Sequence, residues 1–119
     1  MSTADVMTTS GRLPLKETGR TVFVPLGEVE YFEACGNYVR VHAGAEQYLV
    51  RDKLSSFESR LPGSDFVRIH RSVIVNRNLI HELRRLLTGN YLVTLVSGKQ
   101  LTLSRGYRQQ LQALQKPFC

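Results

Sequence analysis

Along most of the chain, apolar and polar residues alternate with a period of two, the habit of half-buried β-strands. Runs of this kind are Thr21 to Pro25, Val29 to Ala34, Tyr38 to His42, Gln47 to Arg51, Tyr91 to Val96 and Gln100 to Leu103. Ala43-Gly44-Ala45-Glu46 and Ser97-Gly98-Lys99 supply hairpin turns between neighbouring runs. Two stretches switch to helical spacing. Leu54, Phe57 and Leu61 stand at i, i+3 and i+7, with Asp52 placed to cap the start and Pro62-Gly63 to end it. Tyr107, Leu111 and Leu114 stand at i, i+4 and i+7, with Ser104 as candidate N-cap and Pro117 as terminator. Residues 1–11 are small and polar without any period, and read as a disordered tail or linker stub. The pattern therefore predicts one domain over 12–116, mainly β, built of antiparallel strands with two short helices.

One apolar run contains a residue that does not fit it. In Phe66 to Asn76, FVRIHRSVIVN, alternation would put Arg71 in line with Val67, Ile69, Val73 and Val75. An arginine cannot be buried unpaired at tolerable cost. The simplest resolution is a bend at His70-Arg71-Ser72 that turns Arg71 outward, with His70 bracing the bend; a structural arginine paired with a carboxylate is the alternative. Leu101 to Arg108, LTLSRGYR, takes a strand directly into a helix. Backbone N–H groups at such a junction attract phosphate, and Ser104 adds a hydroxyl. Arg105 sits where the helix dipole disfavours a cation, which points to an external anion or base edge as its partner, although an ordinary surface arginine reads the same way. In Glu33 to Arg40, EACGNYVR, Gly36-Asn37 marks a turn; Asn37 suits adenine and Tyr38 a phosphate, and a plain hairpin accounts for the same residues.

Charge sharpens this picture. The 119 residues carry a net charge of +6. Residues 21–64 hold four cations against six carboxylates, net −2, whereas residues 65–119 hold nine against two, net +7. A basic patch on a small domain is the footprint of a nucleic-acid partner, or a face kept charged for solubility. Lys99 is a candidate phosphate contact within that basic half. Two cysteines, Cys35 and Cys119, make no disulfide framework, so a reducing cytoplasm is the expected compartment. No apolar run is long enough to span a membrane, and no membrane partner is expected.

The three segments FEACGNYVR, FVRIHRSVIVN and LTLSRGYR, in that order and spacing, resemble the LytTR DNA-binding domain of bacterial transcription regulators. The likeness runs from about Arg12 to Leu114, and its most specific part is the R-I-H-R-S-x-I-V-N stretch followed some thirty residues later by S-R-x-Y. The resemblance implies an elongated assembly of small antiparallel sheets with two short helices. It also implies loops entering successive major grooves of double-stranded DNA, often over direct repeats, with some bending of the duplex. Carried over by position, it puts main contacts at Asn37, Tyr38, Val39, Arg71 and Arg105, and phosphate contacts at Ser72 and Ser104, with His70 and Arg108 completing the DNA-binding set. Tyr107 and the apolar positions are expected in the core. Most members append this domain to a phosphorylation receiver, so an upstream receiver or sensor kinase and a dimer on repeated DNA sites are implied partners. No cofactor is expected.

Three other function classes compete. An enzyme would draw on His42, His70, His81 and Cys35, but these fall at no catalytic or metal-binding spacing, and no catalysis is expected. Single-strand or RNA binding needs exposed aromatics for stacking, and the five Tyr and five Phe mostly fit apolar patterns. A protein-interaction module without DNA binding would lack basic residues at the contact loops, where Arg71 and Arg105 are present.

Overall fold

The computed structural model describes residues 11–115, so the expected N-terminal tail up to Ser10 and the helix terminator Pro117 lie outside the described residues. Three antiparallel sheets follow one another. Strands β1 (Arg12–Glu17) and β2 (Arg20–Pro25) form a hairpin. Strands β3 (Val29–Cys35), β4 (Tyr38–Ala43), β5 (Glu46–Val50), β6 (Phe66–His70) and β7 (Val73–Asn76) make a five-stranded sheet in the order β5-β4-β3-β7-β6, with helix α1 (Leu54–Arg60) between β5 and β6. Strands β8 (Ile80–Arg85), β9 (Tyr91–Leu95) and β10 (Gln100–Leu103) make a three-stranded sheet, and α2 (Leu111–Gln115) follows. The radius of gyration, 14.3 Å, exceeds the roughly 13 Å of a compact 100-residue domain, in keeping with sheets laid side by side.

Strands β3, β6 and β7 of the five-stranded sheet are buried on both faces, which is why β7 opens on the unbroken apolar run Val73-Ile74-Val75. Phe32, Phe66 and Ile74 point to one side, into a cluster with Leu13 and Leu15 of β1, Val24 of β2 and Leu54 and Phe57 of α1. Tyr31, Val67, Ile69 and Val75 point to the other, against Val93 and Leu95 of β9 and Leu101 and Leu103 of β10. Each fully buried aliphatic or aromatic side chain here is worth about 1.5–3 kcal/mol relative to its exposed state. Asn76, the one buried polar residue among those described, fastens the end of β7 to the start of β3 and to the turn that follows. Its Nδ2 donates to Val29 O at 2.9 Å, and its Oδ1 accepts from Asn78 N–H at 3.0 Å.

The expected strands all form, and two more appear. β1 carries an exposed Pro14 and β8 an almost wholly polar run, so neither shows strand character strongly in sequence. The helix starts are corrected. Lys53, not Asp52, is the N-cap of α1, because Asp52 is engaged by Arg60 Nη2 at 3.3 Å and by Lys53 N–H at 2.8 Å. The second helix begins as a 3-10 stretch, Arg105–Gln110, broken at Tyr107 (φ −116°, ψ 22°), and becomes α-helical only at Leu111. Ser104 is its N-cap residue but makes no side-chain cap. Tyr107, Leu111 and Leu114 are half-buried rather than fully enclosed.

Candidate nucleic-acid interface

The apolar row of β6 and β7 breaks where Arg71 would otherwise enter the core. The register shifts between Arg68 and His70, and Arg71-Ser72 form the turn, leaving Arg71 exposed while Ile69 and Val75 are sealed. This turn is held from several directions. Ser72 N–H donates to His70 Nδ1 at 3.1 Å, which requires that nitrogen to be unprotonated, and Ser72 O accepts from Ala34 N–H at 2.9 Å. His70 thus braces the bend. Arg68 Nε donates to His70 O at 2.9 Å, Nη2 donates to Arg71 O, and Nη1 pairs with Glu58 Oε1 of α1 at 2.7 Å. One guanidinium therefore staples both turn carbonyls to the neighbouring helix. Sequence reasoning misses Arg68, although alternation puts it on the same side of β6 as His70.

The second arginine is seated differently. Ser104 N–H donates to Ile69 O at 3.0 Å, so the end of β10 is fastened to β6 two residues before Arg71. Chain reach alone then keeps the Cα atoms of Arg71 and Arg105 within about 18 Å. Arg105 N–H donates to Asn90 Oδ1 at 3.0 Å. The Arg105 stem lies on Gly89, where a Cβ would approach Arg105 Cδ to 2.7 Å; at φ +92° this glycine also adopts a backbone that other residues resist. The Gly89-Asn90 turn between β8 and β9 thus carries both the backbone and the side chain of Arg105. This corrects the expectation of a helix end open to phosphate: the Arg105 N–H already has its partner, and the following helical stretch is short and irregular. Arg108, in the same stretch, is exposed. Among the described residues, Arg71, Arg105 and Arg108 pair with no carboxylate.

The third segment is the β3–β4 turn, where Gly36 has φ +62° and Asn37 and Tyr38 are exposed. Val39 is not available as a contact. Its side chain is completely buried in the cluster under the β1–β2 hairpin, because alternation beyond the turn points Tyr38 out and Val39 in. Asn37, Tyr38 and Arg71 line one open groove of about 790 Å³, and Arg51 and Lys53 line it as well. Sequence reasoning passes over these two cations because the segment around them is acidic on balance. Lys99 is at the far end of β10 from Arg105, with its Nζ 5.9 Å from the centre of the Tyr31 ring. Ser72 and Ser104 are half-buried, held through their backbones.

The LytTr DNA-binding domain family matches residues 19–116. The chain belongs to the LytTR family of DNA-binding domains. A solved LytTr DNA-binding domain from Bacillus cereus superposes with a TM-score of 0.79 at 29% identity, over 90% of this chain and 98% of that one. The sensory transduction protein LytT of Bacillus subtilis (strain 168) is 31% identical over 103 residues, covering 87% of this chain and 43% of its own. The transcriptional regulatory protein YpdB of Escherichia coli (strain K12) is 30% identical over 92 residues, 77% of this chain and 38% of its own. This LytTR chain spans less than half the length of these curated relatives. Its family is a DNA-binding class, not an enzyme class, and the mainly β architecture is the family's own.

The chemistry of other sites is sparse in this LytTR domain. His42 Nε2 meets Glu33 Oε1 at 3.1 Å and its ring stacks on Tyr31 at 4.0 Å. His70 belongs to the turn, and His81 is exposed on β8. Of the described aromatics, only Phe23 and Tyr38 are exposed, one on β2 and one at the β3–β4 turn.

Proposed function

We propose that this LytTR domain reads double-stranded DNA in a sequence-specific way, as the DNA-binding part of a transcription regulator. Arg71 and Arg105 make the principal base contacts in this reading. The observation that carries it is the pair itself: two exposed guanidinium groups, free of carboxylates, anchored to opposite sides of the Ser104–Ile69 hydrogen bond. Arginine is the side chain best matched to guanine O6 and N7, which it contacts bidentately in the major groove. Asn37 and Tyr38 add a third point of approach. Ser72, Ser104 and Arg108 serve as phosphate contacts, and His70 acts through the turn that it braces.

The reading extends to loops inserted into successive major grooves and to direct-repeat sites. The longest dimension of the domain, 45 Å, exceeds the roughly 34 Å of one helical turn, which gives it the reach for more than one groove. The functional unit runs from Arg12 to Lys116, because Leu13 and Leu15 of β1 are integral to the core. A receiver or sensor kinase upstream, a dimer on paired sites, a cytoplasmic location and the lack of catalysis belong to the same proposal.

Selection of bound duplexes from a random pool is the direct test. A defined motif should emerge. Arg71→Ala and Arg105→Ala should each lose about 1–3 kcal/mol on that motif and relax preference at separate positions. If both variants bound the selected duplex as the unaltered chain does, the assignment of these arginines would be wrong.

A further inference from the structure

A basic surface reaches from the turn at Arg71 into the half of the sequence whose net charge is negative. The open groove of about 790 Å³ is lined by Arg51 and Lys53, which precede α1, by Ser56 of that helix, by Asn37 and Tyr38, and by Arg71. Asp52 is the one carboxylate in its wall, and it is already engaged by Arg60 Nη2 at 3.3 Å. Arg68, also in the wall, is held by Glu58 at 2.7 Å. Arg51, Lys53 and Arg71 are therefore left without a carboxylate among the described residues. Three like charges around one trough repel one another, and a polyanion laid along it would offset that repulsion.

We propose that this groove receives the sugar–phosphate backbone of duplex DNA, with Arg51 and Lys53 as phosphate contacts. The inference rests on the reading of this chain as a duplex-DNA reader, and adds to it a contact surface on the stretch between β5 and α1. The groove is open and its cations sit on long exposed side chains, which suits a continuous strand better than a small enclosed anion. Such contacts supply affinity without sequence information. They place the backbone beside the Asn37–Tyr38 and Arg71 turns, where base edges come within reach.

The test is a double variant, Arg51→Gln with Lys53→Gln, in the full chain, compared with the unaltered chain on the selected duplex and on a scrambled duplex of equal length. Affinity is measured from about 50 to 200 mM salt. Removing one phosphate-neutralising cation should flatten the dependence of log K on log salt by about 0.9, so the slope should fall by nearly two on both duplexes. The ratio of affinities for the two duplexes should stay unchanged. Both residues are exposed, and an unaltered melting curve confirms that folding is not the cause. An unchanged slope overturns the groove assignment and leaves the arginine reading intact. A fallen slope with a vanished ratio also overturns it, because the pair would then be reading bases. Absence of any preference in the unaltered chain defeats sequence-specific reading instead, while the slope still decides the groove.

Discussion

At the residue scale, the two arginines of the proposed reading head are presented by different means. Arg71 is exposed because its backbone is clamped: Arg68, His70 and Ala34 all bond the turn that carries it. Arg105 is supported from beneath, by Asn90 at its amide and by the bare Cα of Gly89 along its stem. In the proposed reading, Asn90 would act on DNA only through Arg105. Replacing it with alanine should weaken operator binding and blur preference at the base read by Arg105, with little effect on a scrambled duplex. In an Arg105→Ala background the same replacement should change almost nothing further. Independent, additive losses in this double-mutant cycle would show Asn90 to be merely structural. Gly89 is a poorer target for substitution, since any side chain there strains the backbone as well as displacing the arginine.

Elements explain which of these features can be read from sequence. The β6–turn–β7 unit is legible because an arginine inside FVRIHRSVIVN violates burial, and the only inexpensive remedy is the bend that forms. The hairpins at Gly44 and Gly98 are legible from local turn chemistry. The resemblance puts Val39 among the contacts, but strand parity fixes Tyr38 outward and Val39 inward. Ser104 has the chemistry to open a helix, yet it makes no side-chain cap, the first amide is bonded by Asn90 from another turn, and a 3-10 stretch kinked at Tyr107 follows. Asn90 meets Arg105 through the register of β9 against β10, and Arg51 shares a groove with Arg71 through the strand order of the five-stranded sheet, so neither pairing leaves a local trace in sequence. The β3–β4 pair offers an element-scale prediction. Burial, followed by Arg40 and Lys99, pushes the His42 pKa below its ordinary 6.5, and this outweighs the opposing pull of Glu33. The unfolded chain then takes up the proton first as pH falls. This contribution to stability is present above pH 6.5 and is lost as pH drops through that value toward the depressed one. The urea midpoint should fall between about pH 7.5 and pH 5.5, and His42→Gln should reduce that fall. An equal fall in the variant would assign the effect to other groups.

For the whole molecule, the lopsided charge of the chain and the groove together describe how DNA is approached. The net +7 of residues 65–119 favours encounter with a polyanion, and the proposed groove contact would extend onto a half that is otherwise acidic. A single domain of this size buries only a modest interface, so paired sites should raise occupancy through simultaneous engagement of two copies. On duplexes carrying two copies of the selected motif, binding should be strongest when their centres are two whole helical turns apart, about 20–21 base pairs, which leaves room for two domains on one face, and weaker when an extra half-turn puts them on opposite faces. Indifference to spacing in a gel-shift series would argue for independent monomers.

The hydrogen bond from Ser104 to Ile69 has a consequence for how such a reader diversifies. It joins main-chain atoms, so exchanging the side chain at position 71 or 105 leaves the mount undisturbed. A lineage could retune one recognised base at a time while inheriting the distance between them unaltered. Operators of close relatives should then differ in letters more readily than in spacing.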